Sequence, residues 1–176
     1  MRLFGSTAEF LEWSLPDTPG CIVLDVQLPD ASGLEFQQEL SRLGIKVPVV
    51  MMTGHADVPT TVRAMKAGAV DFLSKPFRNQ EMLDAVEMAI ARDVRRRSEE
   101  VLYEDLKALH TALTPREQTI MVQVTAGMKN KAIAANLGLS EITIKIHRAS
   151  LMRKMRAQSL AELVRQAQML GICNDR

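Results

Sequence analysis

The C-terminal third of the chain carries three helix-start signals in close succession, which confines it to short helices packed on one another. Thr114-Pro115-Arg116-Glu117 offers a capping hydroxyl, a proline at the first helical position and a glutamate that can reach back to the cap. Ser140-Glu141 opens a second helix, and Ser159-Leu160-Ala161-Glu162 reads as a further complete capping box. Between the first two lies Asn130 to Leu137, a short helix built on Ala132, Ile133, Ala134, Ala135 and Leu137. It ends at Gly138, where the absence of a Cβ suits a left-handed turn. A short helix, a glycine-containing turn and a second helix form a helix-turn-helix layout, so this segment is expected to read DNA.

The side chains of the second helix fit that expectation. From Ser140 to Met155 the apolar residues Ile142, Ile146, Leu151 and Met155 are expected to face a core. Thr143, Lys145, Arg148, Arg153 and Lys154 are expected to project outward. A helix fits the major groove, where Lys and Arg donate to guanine and Thr can use its hydroxyl or its methyl. Lys129, Asn130 and Lys131 stand at the start of the preceding helix, whose free amides make a seat for phosphate. The alternative is an ordinary solvated basic face on a small helical domain.

Leu113-Thr114-Pro115-Arg116-Glu117, Gly127, Asn130-Lys131, Ile133-Ala134, Leu137-Gly138 and Thr143-Ile144-Lys145-Ile146-His147 together resemble the LuxR-type helix-turn-helix domain, over nearly all of 113–170. The resemblance implies double-stranded DNA as partner, bound by a homodimer at paired half-sites, with RNA polymerase a further candidate partner. The DNA-binding set is then Lys129, Asn130, Lys131, Thr143, Lys145, Ile146, His147, Arg148, Arg153 and Lys154. Ser150 departs from the family, which often has Asn or another larger polar residue there.

Charge separates the two ends of the chain. Residues 1–109 hold 12 Lys/Arg against 17 Asp/Glu, a net of −5, while residues 110–176 hold 10 against 4, a net of +6. The basic end is therefore the one expected to meet nucleic acid. A length of 176 residues accommodates two small domains. Cys21 and Cys173 form neither a metal spacing nor a disulfide framework, and Cys21 reads as a small core residue. No signal sequence is visible and no apolar run approaches the roughly 20 residues a bilayer requires. The chain is expected to be cytoplasmic, with no membrane partner.

The acidic end alternates strands with helices. Cys21-Ile22-Val23-Leu24 leads to Asp25, Val47 to Met52 leads to Thr53, and Ala69 to Leu73 leads to Ser74-Lys75-Pro76. Continuous apolar runs separated by helices predict parallel strands covered on both faces. Helices are predicted at 6–15, capped by Ser6, and at 34–43, 58–67 and 79–90. Asp25, Thr53 and Lys75 then lie at three strand ends, where an open α/β sheet forms its ligand crevice. A carboxylate, a hydroxyl and an ammonium converging there could manage a phosphoryl group.

Leu24-Asp25-Val26-Gln27-Leu28-Pro29, Ser32-Gly33, Thr53-Gly54-His55, Ala64 to Ala69 and Phe72-Leu73-Ser74-Lys75-Pro76-Phe77 resemble the receiver domain of two-component response regulators. The whole chain is similar to regulators of the FixJ/NarL type. The resemblance makes Asp25 the phosphoacceptor for a cognate sensor histidine kinase, with Thr53, Phe72 and Lys75 following the phosphoryl group. Family receivers open with a strand ending in an acidic pair that holds Mg²⁺, whereas Met1-Arg2-Leu3-Phe4-Gly5-Ser6 aligns with the family's second strand. Asp25 and a backbone carbonyl are the Mg²⁺ ligands expected here, and such an ion takes several more oxygens. Either the true start lies upstream or the receiver is degraded.

The expected architecture is thus an α/β parallel-sheet receiver, flavodoxin-like and N-terminally truncated, at 1–92, a helical linker at 93–112, and an all-α LuxR-type domain at 113–176. In the linker region Leu102, Leu106, Leu109 and Leu113 recur as one helical stripe, for packing on its own domain or for a short dimerising coil. Two rival functions stay open. One is a phosphorylation-independent DNA-binding regulator, whose receiver only dimerises or inhibits. The other is an aspartyl-phosphate hydrolase of the haloacid dehalogenase type. That chemistry needs a second acid two residues after the nucleophile, where Gln27 stands, so no enzyme activity is expected.

Overall fold

The computed structural model describes residues 1–55 and 57–172, so Cys173 lies outside the described residues. The chain divides into two compact units, Met1–Ser98 and Glu99–Arg176.

The first unit runs α1 (Thr7–Glu12), β1 (Ile22–Asp25), α2 (Gly33–Arg42), β2 (Val49–Thr53), α3 (Val58–Lys66), β3 (Asp71–Ser74) and the first part of α4 (Asn79–Thr111). The strands form one parallel sheet in the order β1-β2-β3. Strand side chains alternate, and β2 shows the consequence. Val49 and Met51 join a core with Phe10, Leu34, Phe36, Leu40 and Ala64. Val50 joins a separate core with Leu73, Ala85 and Ala89. Both faces of the central strand are therefore covered, as a parallel sheet requires.

Two helices differ from the sequence expectation. α1 stops at Glu12, not near Leu15, because Trp13 is already extended and its N–H bonds the carbonyl of Phe10. Trp13 instead packs its ring against Phe4, at a centroid distance of 5.2 Å. At the other end, the helix predicted at 79–90 and the linker helix are one element of 33 residues. Neither Gly nor Pro occurs between Asn79 and Thr111, so nothing stops the helix once begun. The division between units falls inside it, after Ser98. Among the described residues no helix is long and apolar enough to cross a membrane.

The second unit contains the rest of α4, then α5 (Pro115–Thr125), α6 (Asn130–Leu137), α7 (Glu141–Lys154) and α8 (Leu160–Met169). Its core is formed by Ile120, Met121, Ile133, Ile144, Leu151, Met155 and Leu163, all fully buried. Leu113 belongs to that core, Leu109 packs against it and Leu106 is buried, while Leu102 is exposed. Leu109 and Leu113 of the leucine stripe thus serve the core of this unit. Thr114 and Glu117 form the expected reciprocal capping box. Ser159 caps the Glu162 N–H, but the Glu162 carboxylate accepts from Gln158, so the other box is one-sided. Gly138 ends α6 at φ 64° and ψ 37°, the left-handed region that its lack of a Cβ permits.

Candidate phosphate pocket and nucleic-acid interface

The sheet carries Asp25, Thr53 and Lys75 to its carboxyl edge. Asp25 ends β1, Thr53 ends β2, and Lys75 follows β3 directly. The Lys75 ammonium donates to Asp25 Oδ2. Asp25 Oδ1 accepts the N–H of Gln27 at 3.0 Å. Burial pushes the Asp25 carboxyl up, but the Lys75 and Gln27 bonds together with the Lys75 charge outweigh it and hold it below its usual value. Thr53 is buried, and its hydroxyl is engaged with its own loop: it accepts from the His55 N–H at 3.2 Å and lies 3.3 Å from the His55 carbonyl oxygen. Phe72 is half-buried on β3. Asp25 and Lys75 are thus in contact, and Thr53 faces His55.

Gly33, at the start of α2, is a further part of this edge. A Cβ built on Gly33 would lie 2.0 Å from the Asp25 carbonyl oxygen, so only glycine lets α2 start this close to β1. The Gly33 N–H donates to the Val26 carbonyl at 2.9 Å, which fixes the approach. The sequence contained Gly33 without revealing which backbone it meets.

In the second unit, α7 differs from the sequence reading in which side it buries. Ile144, Leu151 and Met155 are fully buried, whereas Ile142 and Ile146 are 70 % and 64 % exposed. The expectation that Ile142 and Ile146 face the core is therefore corrected. A stripe at Ile144, Leu151 and Met155 keeps helical spacing, and Ile142 lies nearly opposite it. The outward group is also smaller than expected. Lys145 and Arg153 are exposed, while Thr143, His147, Arg148 and Lys154 are half-buried.

Three of the half-buried residues have partners inside the unit. Thr143 shares a 2.8 Å hydrogen bond with the Ser140 hydroxyl. Arg148 donates to Asn130 Oδ1, tying α7 to the start of α6. Lys154 donates to Glu117 Oε2 at 2.6 Å. Glu117 is only 3 % exposed. Burial raises its carboxyl, but bonds from Lys154, the Thr114 N–H, Ser150 and the Thr114 hydroxyl prevail and lower it to about 2. Ser150, the departure noted in the sequence, thus has a partner in Glu117. Lys129 and Lys131 are exposed at the start of α6, and the N-cap there has no side-chain hydrogen bond. Its first amides are left to another acceptor.

Residues 1–87 match the response regulator receiver domain, and residues 111–167 match the LuxR family of bacterial regulatory proteins. Nodulation protein W of Bradyrhizobium diazoefficiens is 56 % identical over 169 residues, covering 96 % of this chain and 74 % of that protein. Transcriptional regulatory protein FixJ of Rhizobium meliloti is 40 % identical over 167 residues, covering 95 % of this chain and 82 % of its own. Among solved structures, the response regulator StyR superposes with a TM-score of 0.77 at 42 % identity, over 94 % of this chain and 83 % of that one.

Proposed function

The chain belongs to the FixJ/NarL-type response regulators, transcription regulators with a receiver and a LuxR-type DNA-binding domain, and we propose that Asp25 is its phosphoacceptor and α7 its base-reading element. The observation that supports the first half is the Lys75 ammonium on Asp25 at the sheet's carboxyl edge. A receiver domain implies a sensor histidine kinase as phosphodonor. An Asp25 oxygen forms the new O–P bond as the bond from phosphorus to the donor's histidine nitrogen breaks. Lys75 then neutralises charge on the aspartyl phosphate. Thr53 exchanges His55 for a phosphoryl oxygen, and Phe72 follows the vacated space.

Receiver domains in general use Mg²⁺ for this transfer. Among the described residues no group of three or more His, Cys, Asp or Glu is arranged to hold a metal ion. Asp25 and nearby backbone do not supply the several oxygens Mg²⁺ takes, so the residues present do not fit the ion and no step is assigned to it. Treatment of these 176 residues with acetyl phosphate and Mg²⁺, read by Phos-tag electrophoresis, is expected to give a weak shifted band that Asp25→Asn abolishes. A band that survives Asp25→Asn would place the acceptor elsewhere. A stoichiometric, Mg²⁺-dependent band would contradict the weak labelling expected from a site with too few oxygens for the ion, and no band at all would favour a phosphorylation-independent regulator.

Gln27, exposed and bonded through its backbone to Asp25, takes the place a hydrolase of this kind gives to its general acid. Asp30, the next acid, accepts instead from the Thr7 N–H and hydroxyl at 3.0 and 2.9 Å. Both observations support a regulator over an enzyme. On the DNA side we assign base reading to Lys145 with Ile146 and Arg153. Lys129, Asn130 and Lys131 take phosphate at the open start of α6. Thr143, His147, Arg148 and Lys154 support that surface from its flanks. Homodimerisation on paired half-sites, contact with RNA polymerase and a cytoplasmic location complete the proposal.

A further inference from the structure

β1 lies at the edge of the sheet, yet its sequence suits an interior strand. Among the described residues it pairs with β2 alone. Ile22 and Val26 donate to the carbonyls of Pro48 and Met52, both at 2.8 Å, so by alternation the N–H and C=O of Val23 face away from β2. Ile22 and Leu24 pack into the core shared with β2, whereas Val23 is 39 % exposed. Edge strands commonly carry a charge, a proline or a bulge that blocks further pairing. The run Cys21-Ile22-Val23-Leu24 carries none of these.

The open edge faces an apolar cleft. Two adjoining hollows, which share Phe4, Phe10, Ile22 and Val23, extend it from Trp13 and Leu15 at one end to Leu24 and Leu28 beside Asp25 at the other. Arg2 and Phe4 line both hollows without joining the sheet. The chain's own residues thus flank the cleft, which admits one extended segment and obstructs the sheet edge of a second copy. A strand covered on both faces is continuously apolar, and both pairings in this sheet are parallel. The Arg2 guanidinium lies 5.3 Å from the Phe4 ring centre and 5.2 Å from that of Trp13, in the hollow that also holds Gly20 and Cys21. It puts a positive charge where a parallel segment would begin.

We propose that this cleft binds an extended apolar segment of a partner protein, acidic at its amino end, as a fourth strand parallel to β1. Val23 supplies main-chain hydrogen bonds, the cleft takes the apolar side chains, and Arg2 meets the acid.

The test titrates the full chain with an acetylated peptide of one glutamate, four alternating isoleucines and valines, a glycine and two lysines. Trp13, in the cleft and the single tryptophan, reports binding by fluorescence. A saturable change at one peptide per chain is expected, and the same peptide N-methylated along its apolar run should give none, because its side chains remain but its donors are lost. Val23→Pro should weaken binding about tenfold by removing the outward N–H, and Arg2→Ser about threefold. Proline is tolerated where an edge N–H faces outward, and circular dichroism should show Val23→Pro folded. The N-methylated peptide keeps the test decisive if that variant unfolds. Equal binding of the N-methylated peptide would reduce the effect to apolar adhesion and overturn the proposal. So would the lack of a saturable change. Self-association of the chain alone in sedimentation, lost in Val23→Pro and without peptide binding, would overturn it in favour of a second copy at this edge.

Discussion

A Gly33→Ala variant is expected to lose about 3 kcal/mol of stability in the first unit, the upper range for forcing a methyl into a packed site. The added Cβ would lie 2.0 Å from the Asp25 carbonyl oxygen, 2.9 Å from its carbon and 3.1 Å from Val26 Cα. All three are backbone atoms at the end of β1, so no flexible side chain can move aside. Relief requires α2 to retreat, breaking the Gly33–Val26 bond, or the end of β1 to shift, taking Asp25 away from Lys75. Gly54→Ala is the control, because nothing lies within 4 Å of its Cβ position and it should change stability by less than about 0.5 kcal/mol. The single tryptophan, Trp13, lies in the first unit and reports its unfolding in urea through fluorescence. Coincident urea curves for Gly33→Ala and wild type would refute the close approach.

Lys154→Met should destabilise the second unit by about 3 kcal/mol at neutral pH, because it leaves the Glu117 carboxylate buried without its cation. The methionine keeps most of the lysine stem, so lost packing contributes little. The effect depends on pH in a defined direction. The folded Glu117 is lowered to about 2 from an ordinary 4.5. Its contribution is therefore complete above about pH 4.5 and is lost as pH falls through the interval down to about 2. Thermal melts followed by circular dichroism should show the gap between wild type and Lys154→Met narrowing across that interval. A gap that stays constant with pH would show that Lys154 acts by something other than pairing Glu117.

The parts of the fold that were legible in the sequence are those set by local chemistry. Thr114, Ser140 and Ser159 each cap a helix because a hydroxyl needs only the amide three residues on. The strand ends at Asp25 and Thr53 follow from apolar runs that stop at a polar residue. What the sequence hid depends on partners distant in the chain. Glu117 reads as a capping glutamate, and it is one, but nothing local says that Lys154, 37 residues on, completes its burial. The sequence also does not show what the Arg95-Arg96-Arg97 run holds. In the structure Arg96 and Arg97 hold the fully buried Asp93, which also accepts the Gly20 N–H at 3.1 Å. On α7 Leu151 and Met155 face the core as the sequence suggests, and the error is confined to Ile142 and Ile146 in its first part. Isoleucine stands at 142, 144 and 146, and spacing alone does not say which one the core accepts. That choice is made by Ile120, Ile133 and Leu163 on the neighbouring helices.

The central claim is that the outer face of α7 reads base sequence, and the affinity of the full chain and of Lys145→Ala for a preferred and a scrambled duplex tests it most directly. Fluorescence anisotropy at several salt concentrations separates phosphate attraction, which both duplexes share, from base reading, which only one offers. Wild type should favour the preferred duplex at every salt concentration. Lys145→Ala should lose about 1–3 kcal/mol on the preferred duplex and much less on the scrambled one, so that the preference shrinks. An equal loss on both duplexes, with the preference intact, would make Lys145 a phosphate contact and contradict the reading of α7.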